Sequence, residues 1–284
     1  MSEWNYEKRG YLLEDFRLFH LRSALKEDTA FHYHEFHKLV FFLSGRGNYI
    51  VEGRSYALKP YDIVLVQRGA IHKAEIAADA TYERVILYIS PEFLARQSSA
   101  ESSLDLCFQN AAREKSFVLR PDYDRREALM RMLSALEAAG ESAEYAHDLM
   151  ERALMIQLLV ELGRGLGTEN YRYAPAENSG EKTADILEYI HEHLTEDISI
   201  DRLAEQFYLS KYYMMRLFRE RTGFTIHAYL TDKRLRLARE LIAQGMTASE
   251  VCYRCGYHDY SAFSRAYKKR FAASPRQQQK GAGR

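Results

Sequence analysis

Two segments in the last third of this 284-residue chain repeat one pattern, and no other feature restricts its possible folds so strongly. The first runs from Ile200 to Gly223 and the second from Ala248 to Phe271. In each, a short run with apolar residues at helical spacing leads into a tight turn. A longer helical run rich in Arg, Lys and Tyr follows. One such helix-turn-helix unit is a common accident of sequence. Two in tandem, about fifty residues apart, match the axial repeat of a DNA groove.

The spacing predicts the helices one by one. A helix over Thr183 to Leu194 turns Ile186, Leu187 and Ile190 to one face. Ser199 and Asp201 are candidate caps for Ile200 to Phe207, whose Leu203, Ala204 and Phe207 point inward. Tyr208 and Leu209 form the turn, and Ser210 caps the next helix, with Met214, Leu217 and Phe218 in the core. Lys211, Tyr212, Met215, Arg216 and Arg219 are left on the outer face, where they can enter a major groove. Thr225 caps a long helix, Ile226 to Ala243, roughly 27 Å at 1.5 Å per residue, which can hold the two units at a fixed separation. Thr247 caps the second unit, Gly256 stops its first helix, and Asp259 caps the last, with Phe263, Tyr267 and Phe271 inward. His258, Tyr260, Ser261, Ala262, Arg265, Lys268 and Lys269 face out.

Charge follows the same division. Residues 183–284 hold 17 Lys and Arg against 12 Asp and Glu, a balance of +5 that offsets −5 over residues 1–182. A basic excess on the helix-turn-helix part is the footprint of phosphate binding. Arg216 and Arg265 are candidates for guanine, which Arg binds bidentately; Arg219, Lys268 and Lys269 are candidates for phosphates, which position without specifying. Cys252 and Cys255 form a C-x-x-C, but two ligands are too few for zinc and both lie on an inward face, so they are expected to pack. With three cysteines in all, no disulfide framework is available, and a reducing cytoplasm is expected. No apolar run reaches membrane-spanning length, and the first ten residues lack the apolar stretch of a signal peptide.

The N-terminal part reads differently. Short apolar, β-branched and aromatic runs at Phe16–Leu21, Phe36–Leu43, Asn48–Val51, Ile63–Val66, Ile71–Ile76 and Tyr82–Ile89 are strands, punctuated by glycines and Pro60. So many short strands imply a sandwich or barrel. From Asp122 to Leu166 the period becomes helical, with Gly140 expected to separate two helices. Such a pair either forms a dimer or only covers the barrel. Gly167 to Lys182 has no periodicity and reads as a linker.

The C-terminal third resembles the AraC/XylS family of transcription regulators over about Thr183 to Pro275. The carriers are Leu203-Ala204, Leu209-Ser210, Arg216-Leu217-Phe218, Thr222-Gly223, Tyr229-Leu230, Arg234-Leu235, Ala238, Leu241, Gly256-Tyr257, Phe263-Ser264-Arg265 and Ser274-Pro275. The resemblance implies that Tyr212, Met215 and Arg216 approach bases from the first unit, and Tyr260, Ser261, Ala262 and Arg265 from the second. Cys252, Tyr257, Tyr267, Ala272, Gln278 and Gln279 depart from the family pattern; Ala272, in place of a Gly, puts the left-handed helix end in question.

Phe31 to Ile89 resembles a cupin barrel, a sensor domain in many AraC-type regulators. Its carriers are His32-Tyr-His34 in one strand, where residues two apart share a face, a glycine-containing turn, and a late His72. In metal-binding cupins three His and a Glu hold a divalent ion. His32, His34 and His72 fit the three His positions, but Lys38 stands at the Glu position, and an ammonium repels a cation. His37 and Glu35 turn to the other face. The pocket is therefore read as one where His32, His34, Lys38 and His72 hydrogen-bond an organic ligand, a sugar or a carboxylate. A blander reading is that the histidines satisfy one another.

Together these features predict an α+β protein of two domains: a cupin-like sensor at 1–110, a helical, dimerising extension at 111–166, a linker at 167–182 and an all-α double helix-turn-helix domain at 183–280. The function expected is sequence-specific, effector-controlled DNA binding in transcription, with no catalysis and no cofactor. The expected partners are double-stranded DNA, a small-molecule effector, a second copy of the chain and RNA polymerase, but no membrane. The alternative is a metal-binding cupin enzyme or metal sensor fused to a DNA-binding module.

Overall fold

A computed structural model describes residues 12–23, 30–77, 81–177 and 182–282. The chain divides into two compact units, the second beginning after residue 179. The N-terminal unit is built on strands β1 (Phe16–Ser23), β2 (His37–Ser44), β3 (Gly47–Val51), β4 (Arg54–Ala57), β5 (Ile63–Val66), β6 (His72–Ile76) and β7 (Tyr82–Ile89). Helices α1 (Pro91–Gln97) and α2 (Leu106–Arg113), strand β8 (Val118–Pro121), helices α3 (Tyr123–Glu141) and α4 (His147–Gly165) and strand β9 (Tyr171–Tyr173) complete it. One antiparallel sheet has the order β1-β7-β2-β5-β8-β9 and a smaller one the order β4-β3-β6.

The two sides of β2 have separate tasks, as strand alternation requires. Leu39 and Phe41 are buried with Leu87, Leu129, Leu133, Leu158 and Leu162 in one core shared by sheet and helices. Lys38, Val40 and Phe42 lie on the opposite side, in register with Tyr88, Ile86 and Arg84 of β7. The chain passes from β2 to β3 through Gly47, where a Cβ would come within 2.3 Å of the Glu75 carbonyl oxygen. Only glycine fits there.

Several expectations need correction. Gly140 lies inside α3, which continues to Glu141; the break comes at Ser142 to Ala146. Asp122 does cap α3, accepting from the Arg125 amide at 2.9 Å. The inner faces of α3 and α4 belong to the barrel core, so covering the sheet is a role the pair fulfils within one chain. The stretch read as a linker contains β9, whose Tyr171 is buried and which pairs with β8. Three strands were missed, β4, β8 and β9, because four residues or fewer show no alternation to count and, unlike Ile63–Val66 of β5, they are not continuous apolar runs.

The second unit is helical: α5 (Lys182–Glu192), α6 (Ile200–Gln206), α7 (Lys211–Thr222), α8 (Ile226–Ala243), α9 (Ala248–Arg254), α10 (Tyr260–Phe271) and α11 (Pro275–Ala282). Ser199, Ser210, Thr225, Thr247 and Asp259 cap the five helices from α6 to α10, each accepting from a backbone amide of the first turn. Leu203, Met214 and Phe218 are buried in the first unit of two helices, and Val251, Phe263 and Tyr267 in the second. Ala272 ends α10 in the left-handed conformation (φ 59°) despite its Cβ.

Helix α8 joins the halves through charge as well as apolar packing. Arg234 donates to the Leu194 carbonyl at 2.8 Å and to the Gly256 carbonyl at 3.1 Å, and also to Glu196. Gly256 (φ 76°) leaves that approach open; a Cβ there would sit 2.8 Å from the Thr195 carbonyl and 3.0 Å from the Arg234 guanidinium. Buried Asp232 accepts from Arg236 and from Arg270 of α10, both at 2.6 Å. Burial pushes its carboxyl upward, but the two guanidiniums outweigh burial and hold it below the usual range.

Candidate DNA interface and barrel site

The turn between α6 and α7 and the turn between α9 and α10 follow one backbone plan. Tyr208 (φ 52°) and Gly256 (φ 76°) are left-handed, and the next amide, of Leu209 or Tyr257, donates back to the carbonyl of Ala204 or Cys252. This turn frees one face of α7 and one face of α10. On α7, Lys211, Tyr212, Met215, Arg216 and Arg219 are all exposed. On α10, Ser261, Arg265, Lys268 and Lys269 are exposed, whereas Ala262 is half-buried. Tyr260 is also half-buried: its ring packs 6.0 Å from Phe263, with the Arg276 guanidinium 5.5 Å above it. Its outward role is thus shared with the core.

The cations on these faces differ. Lys211 pairs with Asp201, and Arg216 reaches Glu220 one turn on at 3.8 Å and the Tyr213 ring at 5.7 Å. Arg219, Arg265 and Lys268 have no ion-pair partner among the described residues. Sequence reasoning did not single out Tyr208, whose side chain is 92% exposed beside the α7 cations. Cys252 and Cys255 are free, buried and packed with Val251, Phe263 and Tyr267, and burial pushes the Cys255 thiol up to about 12. They form core, as their inward spacing required.

In the N-terminal unit, His32 and His34 do not share a continuous strand. His32 forms an isolated bridge with His72, its amide donating to the His72 carbonyl at 3.1 Å and its carbonyl accepting from the His72 amide at 3.0 Å. A bend at Glu35 and Phe36 then precedes β2. The three rings still converge, with centroids 4.3 to 5.0 Å apart. His37 turns to the other side and packs against Phe108 with the rings tilted, and burial lowers its pKa to about 4. Lys38 is buried on the histidine side, its ammonium 5.9 Å from the centre of the Tyr49 ring, and Tyr49 stacks on His72. Burial first, then the Arg84 charge, lowers the Lys38 pKa to about 7. Tyr49, Tyr82, Arg84 and Tyr88 complete this interior and were missed. The signal was present in the even positions of β7, which the register places beside Lys38 and Phe42.

A divalent ion can be tested against this arrangement. One nitrogen from each of His32, His34 and His72 lies within 4.8 Å of the others, which suits three ligands. The fourth side does not fit. It presents Lys38, whose charge adds to burial in lowering the His72 pKa, and Arg84, whose charge acts on Lys38 in turn. Two cations facing the same interior oppose a third.

Residues 203–281 match the family model described as a helix-turn-helix domain, and residues 20–159 match the AraC-like ligand binding domain. The HTH-type transcriptional activator RhaS of Escherichia coli O1:K1 is 27% identical over 262 residues, covering 89% of this chain and 88% of that protein. RhaS of Salmonella schwarzengrund is 27% identical over 255 residues, covering 88% and 87%. The solved structure of apo ToxT from Vibrio cholerae covers 94% of this chain and 97% of its own at 13% identity, with a TM-score of 0.37. Both domains and the near full-length likeness to RhaS give one answer: the chain belongs to the AraC-type DNA-binding transcription regulators and carries a ligand-binding domain.

Proposed function

We propose that the chain reads an asymmetric DNA site with two unequal surfaces, Lys211/Tyr212/Met215/Arg216/Arg219 on α7 and Tyr260/Ser261/Ala262/Arg265/Lys268/Lys269 on α10, under control of a small molecule in the barrel. The observation that carries this reading is the pair of equivalent capped turns, each freeing an exposed cationic helix face. Arg265 is the leading base reader, because no protein carboxylate holds it among the described residues; Lys268 and Arg219 serve as phosphate anchors. Binding of the effector near His32, His34, Lys38 and His72 shifts the equilibrium between DNA-binding and non-binding arrangements. The protein acts as a homodimer through its α3–α4 region and as an activator, the word that names the RhaS relatives, and it engages RNA polymerase. It catalyses no reaction and works in the cytoplasm, beside the genome it regulates.

The test is selection of a binding site from random DNA, followed by gel shifts. Arg265→Ala should lose affinity for the selected site by about 10- to 100-fold, equivalent to roughly 1–3 kcal/mol, while binding to unrelated DNA changes little. Equal loss on both would remove Arg265 from base reading.

A further inference from the structure

Two polar groups of the barrel interior, among others, lack a matching partner among the described residues. The first is the Lys38 ammonium. Its side chain is 7% exposed, and no carboxylate pairs with it among the described residues. Its neighbours are the Tyr49 ring and the charge of Arg84. Arg84 lies on the same inner wall, since Phe42↔Arg84 and Lys38↔Tyr88 are partners in one register. Two like charges on one inner wall destabilise the empty barrel. An anion between them reverses the sign of that interaction.

The second group is His72, which is wholly buried. Its Nδ1 lies 3.0 Å from the Ala70 carbonyl oxygen. That oxygen can only accept, so Nδ1 carries the proton and Nε2 keeps its lone pair. Nε2 is buried without a hydrogen-bond partner among the described residues. It is therefore an acceptor waiting for a donor, and it faces the same interior as Lys38 through Tyr49, which contacts both. A ligand that satisfies both groups carries an anionic acceptor and a hydroxyl donor. A neutral sugar leaves the Lys38 ammonium without a counter-charge, and a simple fatty acid leaves His72 without its donor.

We infer that the barrel takes a hydroxylated organic anion of the aldonic or uronic acid type, its carboxylate held by Lys38 and Arg84 and a hydroxyl donating to His72. This rests on the proposal that the barrel is the effector site, and it narrows the chemistry of that effector.

The experiment uses the full chain and matched probes in calorimetry and thermal denaturation: D-gluconate against D-glucitol, and D-galacturonate against D-galactose. At least one acid should bind, and bind at least tenfold more tightly than its neutral counterpart. Lys38→Met should weaken that acid by tenfold or more while raising the melting temperature of the ligand-free protein, because it removes an unpaired buried charge. Arg84→Gln gives a second variant in case Lys38→Met does not fold. The inference is overturned if no acid binds, if acid and neutral partner bind alike, or if both variants keep the acid's affinity. It is also overturned if the purified protein holds one equivalent of transition metal removable by chelator. Gel shifts on the selected DNA, run on the same preparation, separate the two readings. DNA binding that persists without acid binding sinks only the anion assignment, whereas loss of specific DNA binding by well-folded protein sinks the regulator reading.

Discussion

At the scale of single residues, burial rather than a neighbouring charge is the main influence on two histidines of the N-terminal unit. His37 packs against Phe108 with its pKa lowered to about 4, and His72 is shifted in the same direction. An unfolded chain binds protons at these imidazoles near the ordinary value of 6.5, and the folded chain resists. Stability is therefore fully present above about 6.5 and falls as pH drops toward 4, by at most about 1.4 kcal/mol per pH unit for each histidine. His37→Phe keeps a ring against Phe108 and removes one titration, so its melting temperature should fall less steeply than the wild type's between pH 6.5 and pH 4. Parallel curves would show that His37 already binds its proton in the folded protein. Residue types were read well from sequence where one position had one role, as with the five capping Ser, Thr and Asp side chains. Tyr260 was read less well, because its ring lies across the boundary between core and outer face.

At the scale of elements, α8 shows how a connecting helix becomes a fixed spacer. Asp232 ties it to α10 through Arg270, and Arg234 ties it to the chain before α6 and to the turn after α9. Removing Asp232 leaves two guanidiniums without their shared carboxylate in a buried setting. Asp232→Ala should cost the helical unit about 3 kcal/mol, measured by urea denaturation of the full chain followed through helical circular dichroism. A loss below about 1 kcal/mol would mean that the pair is worth no more than a surface bridge. Helices of 12 to 19 residues were legible because several turns repeat the apolar period. Strands of three or four residues gave no such repeat, and β9 was hidden in a segment whose Gly, Asn and Pro content resembles a linker.

At the scale of the whole molecule, the neutral total charge conceals a division of labour, with the basic excess confined to the part that carries the two helix-turn-helix units. If the exposed cations Lys211, Arg216, Arg219, Arg265, Lys268 and Lys269 meet phosphates or bases, DNA affinity should fall with a slope near about −5 in log K against log salt. A slope flatter than about −2 would mean that most of them stay in solvent. The amino-acid sequence by itself determined the helix-turn-helix pair, its caps and its outward cations, because helical period and capping chemistry are local and leave their mark within a few residues. It also offered Lys38 as an argument against a metal. Only the tertiary structure decided what Lys38 faces. Arg84 and His72 lie 46 and 34 residues away along the chain, and strand register across two sheets, not any local pattern, brings their charge and their lone pair to one interior.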